Sequence, residues 1–259
     1  MSDVVRVEKI DGNIAKLTIN RPDKLNALNR AVRQGIFDAL NNLSEDDDVR
    51  VVLITGAGDK AFIAGADIAE FKDARPIEQY RSMKAGNIYM AIERFPKPVI
   101  AMINGFCLGG GCELAMACDM RIASTAAKIG QPEINLGLIP GAGGTQRLPR
   151  LVGEGWAMRL ITSGELISGD TAAKIGLVET AVAPEELEIH TMTLAAKIGS
   201  QSPVALQAAK ESVLAARRMP LDEGLKFEQA WFSLLFSTDD MAEGVNAFLE
   251  KRKAEFKGS

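Results

Sequence analysis

"GFCLGGGCELAMACD", residues 105–119, places three consecutive glycines at the seam between two apolar segments. Upstream, "KPVIAMINGF" (97–106) is a continuous apolar run, as expected of a strand buried on both faces. Downstream, the pattern predicts a short helix from about Gly111 through Cys118, with Glu113 in its first turn. Strand, glycine turn and helix, in that order, form the repeating unit of an α/β fold. Glycine loses the most backbone freedom on folding, so three together imply that something must approach the main chain there. The first N–H groups of a helix lack intrahelical partners and lie at the positive end of its dipole. Bare glycines in front of them suit an oxyanion or a phosphate. Close packing of the helix against a neighbour would explain them equally well.

The same rhythm extends to either side. "NIAKLTIN" (13–20) alternates and reads as a strand, followed by a turn, "RPDKLNALN". Leu28, Val32, Ile36, Phe37, Leu40 and Leu43 then recur at helical spacing, and "SEDDD" (44–48) closes that helix as an acidic loop. "VRVVLITGAG" (49–58) is another buried strand; "DKAFIAGADIAEF" reads as a loop; residues 76–94 read as a helix. "MRIAS" (120–124) is a short strand, and "AKIGQPEINLGLIPGAGGTQRLPRLVG" (127–153) is irregular and glycine-rich. Beyond Pro184, residues 185–199, 203–218, 221–236 and 239–253 read as helices, with Ser202-Pro203 a cap-then-proline start. The expected organisation is an α/β body, residues 1–195, and an all-helical region, residues 196–259.

Bulk properties narrow the function. The 259 residues are 47% hydrophobic and 25% charged, a composition that forms a sizeable core. A net charge of -4 argues against a nucleic-acid binder, whose footprint is usually basic. Cys107, Cys112 and Cys118 are too few and too apolar in setting for a disulfide framework, and read as buried thiols. The only histidine, His190, is remote from them and reads as a surface helix residue, so neither a metal site nor a Ser-His-Asp hydrolase is expected. "MSDVVRVEKIDGN" has no apolar signal core or Arg-rich leader, and no run is long enough to span a membrane. The expected location is the cytoplasm.

Two further segments bear on chemistry. "AFIAGADIAEF" (61–71) again follows a buried strand with a glycine among small residues, and its backbone N–H groups could supply a second donor. In "GQPEINLGLIPGAGGTQRL" (130–148), Glu133 stands between Pro132 and an apolar run, either exposed on a loop or buried for a purpose. "GAGGT" lacks the lysine of a P-loop and the strand-GxGxxG-helix setting of a dinucleotide fold, which excludes an NTPase and a dehydrogenase. Two buried carboxylates beside a backbone oxyanion hole would form a proton-transfer site next to a polarised carbonyl. Their burial and repulsion would separate their pKa values.

"NRPDKLNAL", "AFIAGADI", "NGFCLGGGCELAMACD" and "PEINLGLIPGAGGTQRL", in this order, resemble the crotonase superfamily, and within it the enoyl-CoA hydratases. The likeness runs essentially end to end, through "FLEKRKAEFKG"; Ala254 departs from a proline common among relatives. The resemblance implies a spiral of ββα units followed by a helical trimerisation region, assembled as a homotrimer or a homohexamer. It implies an acyl-CoA thioester as substrate, coenzyme A being part of that substrate and not a cofactor. It places the oxyanion hole at the backbone N–H groups of Ala66 and Gly110. Glu113 and Glu133 match the two catalytic glutamates, the first activating water and the second delivering a proton to the α-carbon. Lys24, Leu25, Ala27, Ala64, Ala66, Asp67 and Ile68 match coenzyme A contacts, and the terminal basic run could reach a neighbour's CoA phosphate. The rival readings are an enoyl-CoA isomerase, which generally needs only the acid at Glu133, and a non-catalytic acyl-CoA- or RNA-binding homologue.

Overall fold

The computed structural model describes residues 4–72, 75–84 and 87–259. The chain opens with a hairpin, β1 (Val5–Ile10) and β2 (Ile14–Ile19), and then a helix, α1 (Arg30–Ser44). Asn29 caps α1, its side chain accepting the Val32 N–H at 2.9 Å. There follow β3 (Val51–Gly56), β4 (Ala61–Ile63), α2 (Pro76–Lys84) and α3 (Ile88–Arg94). Next come β5 (Val99–Ile103), β6 (Phe106–Leu108), α4 (Gly110–Ala117), β7 (Met120–Ser124) and β8 (Lys128–Gly130). Then α5 (Gly144–Ser163), broken at Gly153, leads to β9 (Ile167–Ser168), α6 (Gly169–Lys174) and β10 (Thr180–Val182). Four helices close the chain: α7 (Leu187–Gly199), α8 (Pro203–Ala215), α9 (Leu221–Leu235) and α10 (Asp239–Leu249).

The strands form two sheets. The larger has the order β1-β2-β3-β5-β7-β10 and is parallel except for the β1–β2 hairpin. The smaller has the order β4-β6-β8-β9, with β4, β6 and β8 parallel. Each turn of the spiral therefore lays one strand in the large sheet and the next in the small one: β3 then β4, β5 then β6, β7 then β8. The central strands of the large sheet, β3 and β5, are buried on both faces. Val52, Ile54, Val99 and Ala101 point into the main core, shared with α1, α3 and α4. Val51, Leu53, Ile100 and Met102 point the other way, against Leu187 and Ala195 of α7. That two-sided burial is why these strands read as unbroken apolar runs.

Several boundaries differ from the sequence reading, each for a local reason. Residues 97–106 are not one strand. At Asn104 the side chain donates to the carbonyls of Gly56 (3.0 Å) and Gly58 (2.7 Å), and the chain turns out of the large sheet. Gly105 then passes so close to Lys60 that a Cβ would sit 2.2 Å from its carbonyl oxygen. The loop expected over 59–71 contains β4. Residues 76–94 are two helices, with residues 85–86 outside the described set. The segment 127–153, expected to be irregular, contains β8 and gives up its end to α5, and α10 stops at Leu249, just before Lys251 turns left-handed (φ 56°). The Ser202 cap is present, accepting the Ala205 N–H at 3.4 Å. Cys107, Cys112 and Cys118 are buried free thiols, and His190 is exposed on α7. Among the described residues no helix is long and apolar enough to cross a membrane.

Candidate active site

Three neighbouring parallel strands of the small sheet each run out into one part of the site. β4 leads to Ala64–Ala66, β6 to Gly109 and Gly110, and β8 to Gln131–Glu133. The register that pairs Ala61 with Phe106 and Phe106 with Lys128 brings the three exits to one end of the sheet.

The 24–28 turn is zipped onto the first exit. Ala64 N–H donates to the Leu25 carbonyl (3.1 Å), Leu28 N–H to the Gly65 carbonyl (2.8 Å), and Asp67 N–H to the Leu28 carbonyl (3.0 Å). This ladder leaves the Ala66 N–H without an acceptor among the described residues. Wholly buried Asn26 holds the turn, donating to the carbonyls of Ala57 (3.0 Å) and Ala61 (2.7 Å). Gly110 is the first residue of α4, so its N–H is also without an intrahelical partner. A Cβ on Gly110 would lie 3.6 Å from the Ala66 nitrogen, so the two donors share one small space.

The three glycines do different work. Gly109 adopts φ 50°, and a Cβ there would stand 3.0 Å from Glu133 Oε1. Gly110 opens onto the cavity. Gly111 faces away from it: a Cβ would sit 2.1 Å from the Ile63 carbonyl oxygen, so this glycine lets α4 pack on β4. Of the two explanations offered by the sequence, close packing holds at Gly111, while Gly110 borders the cavity.

Glu113, one turn into α4, is 3% exposed. Its Oε1 accepts the N–H groups of Ala142 (2.7 Å) and Gly144 (2.8 Å). Burial raises its pKa, while these two bonds and the charge of Arg147 pull the other way. Arg147 in turn fastens the 142–144 segment, donating to the Ala142 carbonyl (3.0 Å) and pairing with Glu93 (2.6 Å), which also binds Arg218. Glu133 lies across the cavity, half-buried in a short 3-10 turn, Pro132–Leu136. Burial, reinforced by the charge of Glu113, pushes its carboxyl up to about 7. The buried Gln131 amide, with its nitrogen facing the acid, donates to Glu133 Oε1 (3.0 Å) and Oε2 (3.2 Å).

Ala66, Gly110, Glu113, Glu133 and Ala142 line one cavity of about 750 Å3. Of the residues singled out from the sequence, Ala64, Ala66, Ile68, Gly110, Glu113 and Glu133 form part of its wall. Lys24, Leu25, Ala27 and Asp67 stand outside it; the Asp67 carboxylate pairs with Arg21 at 3.0 Å. The sequence reading did not single out Gln131, Arg147 or Tyr89. Gln131 and Arg147 lie within the 130–148 segment already noted, but Tyr89 sits in an ordinary helical pattern that carries no signal.

A profile of the enoyl-CoA hydratase/isomerase family matches residues 9–259. This chain belongs to that family. Similar members include the short-chain-enoyl-CoA hydratase of Clostridium acetobutylicum, 46% identical over 246 residues, covering 95% of this chain and 94% of that one. The 2,3-dehydroadipyl-CoA hydratase of Escherichia coli K12 is 41% identical over 243 residues, covering 93% and 94%. Among solved structures, an enoyl-CoA hydratase from Bacillus anthracis matches with a TM-score of 0.95 at 40% identity, covering 99% of this chain and 100% of that one. The ββα spiral followed by C-terminal helices is the fold of this family's solved members.

Proposed function

We infer that this chain is an enoyl-CoA hydratase, adding water reversibly across trans-2-enoyl-CoA to give 3-hydroxyacyl-CoA. The observation that carries the chemistry is two carboxylates lining one cavity beside two backbone N–H groups without acceptors among the described residues. The thioester oxygen takes the Ala66 and Gly110 N–H groups, and its bonds to them strengthen as it becomes an enolate. Glu113 has one oxygen engaged by Ala142 and Gly144, which leaves the other for water. Water oxygen bonds to C3 while Glu113 takes its proton, and Glu133 gives its own proton to C2. The raised carboxyl of Glu133 supports its role as the acid. Ala64 and Ile68, on the cavity wall, and Lys24, Leu25, Ala27 and Asp67, on the turn beside it, are assigned to coenzyme A. The acyl tail runs toward residues 70–90. The proposal also places the protein in the cytoplasm as a trimer or a pair of trimers. The large exposed apolar side chains of the C-terminal helices support the assembly: Phe232 is 64% and Phe248 83% exposed. In this reading residues 196–259 are the trimerisation region.

The test is hydration of crotonyl-CoA, followed by loss of the conjugated thioester absorbance, for wild type, Glu113→Gln and Glu133→Gln. Wild type should turn over, and each variant should lose roughly 10²-fold or more in rate. An inert wild type that still binds CoA thioesters would remove the hydratase reading. Collapse of Glu133→Gln alone would favour an isomerase, which works with a single acid.

A further inference from the structure

Tyr89, on α3, is the one side-chain hydroxyl in the cavity wall among the described residues. Its ring packs against the main core, which fixes the direction of the phenol. The hydroxyl oxygen lies 3.1 Å from the point a Gly110 Cβ would occupy, and that same point is 3.6 Å from the Ala66 nitrogen. It therefore stands at the rim of the space between the two backbone donors. Among the described residues it has no hydrogen-bond partner. Burial, with the negative charge of Glu113 and Glu133 nearby, pushes its pKa well above the ordinary phenol value, so it stays a neutral donor.

We propose that the Tyr89 hydroxyl donates a third hydrogen bond to the thioester oxygen, adding a side-chain donor to the backbone pair at Ala66 and Gly110. The proposal rests on the hydratase reading and deepens it. An enolate oxygen has lone pairs beyond those taken by two N–H groups. A donor already held in place by a packed ring needs no reorganisation when charge develops. The bond is stronger to the enolate than to the thioester, so it acts on turnover more than on binding.

Tyr89→Phe removes the oxygen and keeps the ring. With crotonyl-CoA, kcat should fall by roughly tenfold or more, the value of one hydrogen bond to a charged acceptor, while KM stays within about twofold. A second readout needs no turnover. Butyryl-CoA labelled with 13C at its carbonyl cannot be hydrated, and its infrared carbonyl band reports polarisation in the site. The band should lie at lower wavenumber on wild type than on Tyr89→Phe, and Glu113→Gln should retain the wild-type position. A thermal melt establishes that Tyr89→Phe is folded. An unchanged kcat with an unchanged band would overturn the proposal and leave the hydratase reading intact. So would undiminished crotonyl-CoA turnover joined to new activity on 2-methyl enoyl-CoA, which would make Tyr89 a steric wall. If wild type fails to hydrate any enoyl-CoA, the hydratase reading falls, and the carbonyl band still decides whether Tyr89 touches the thioester.

Discussion

At Glu133, burial and the charge on Glu113 act in the same direction, while at Glu113 two backbone N–H groups and Arg147 resist the effect of burial. In the proposed mechanism the pair would share a single proton, on Glu133 before hydration and on Glu113 after it. One proton would leave the pair for C2 and one would return to it from water, so both directions of the reaction require a singly protonated pair. Raising the pH through about 7 strips the proton from Glu133, and kcat/KM for crotonyl-CoA should fall along that limb. At acid pH it should fall again as the second carboxylate is protonated. A pH profile of kcat/KM checks this; a rate still climbing well above neutrality would mean that Glu133 is not the acid. The two glutamates were visible in the sequence as acids stranded in apolar and glycine-rich company. Their roles came from the resemblance. Tyr89 was not visible, because one tyrosine in a helical stretch does not reveal which way its hydroxyl points.

Among the elements, α4 begins with a glycine that borders the cavity, Gly110, and one packed on β4, Gly111. Gly111→Ala would force a methyl against the Ile63 carbonyl oxygen at 2.1 Å, and should lower stability by ~3 kcal/mol in urea unfolding. At Gly110→Ala the nearest atoms are the Tyr89 hydroxyl at 3.1 Å and Leu28 Cδ1 at 3.5 Å, contacts that small shifts relieve. That variant should unfold near the wild-type midpoint yet lose most of its hydration rate, because its methyl intrudes between the donors. Equal loss of stability in both variants would contradict this division of labour. The helix itself was legible, since a glycine seam before an apolar run is a strong local signal. The β5–β6 break was not. Apolar character continues through Gly105, and only the tertiary bonds of Asn104 to Gly56 and Gly58 turn the chain there. β4, three residues long, is too short for any periodicity to show.

Over the whole molecule, the alternation of strands with glycine turns and helices announced the architecture. The division of strands between two sheets was not announced, because it depends on pairing partners distant in the chain. β1 went unread for a related reason: it is an edge strand, and Val5 is its one fully buried residue. The C-terminal helices present a different balance. No residue of α9 is buried, although its sequence is strongly amphipathic. If these faces meet in a trimer, Phe248→Asp should reduce the solution mass measured by light scattering to that of a single chain, while a mass unchanged from wild type would exclude α10 from the interface. The parallel exits of β4, β6 and β8 have a consequence for descent. In the proposed hydratase reading, one exit would supply a donor, the next a second donor and the helix bearing Glu113, and the third Glu133. A lineage can therefore keep the thioester grip and rewrite the short segment after a single strand, acquiring a different reaction without inventing a new scaffold.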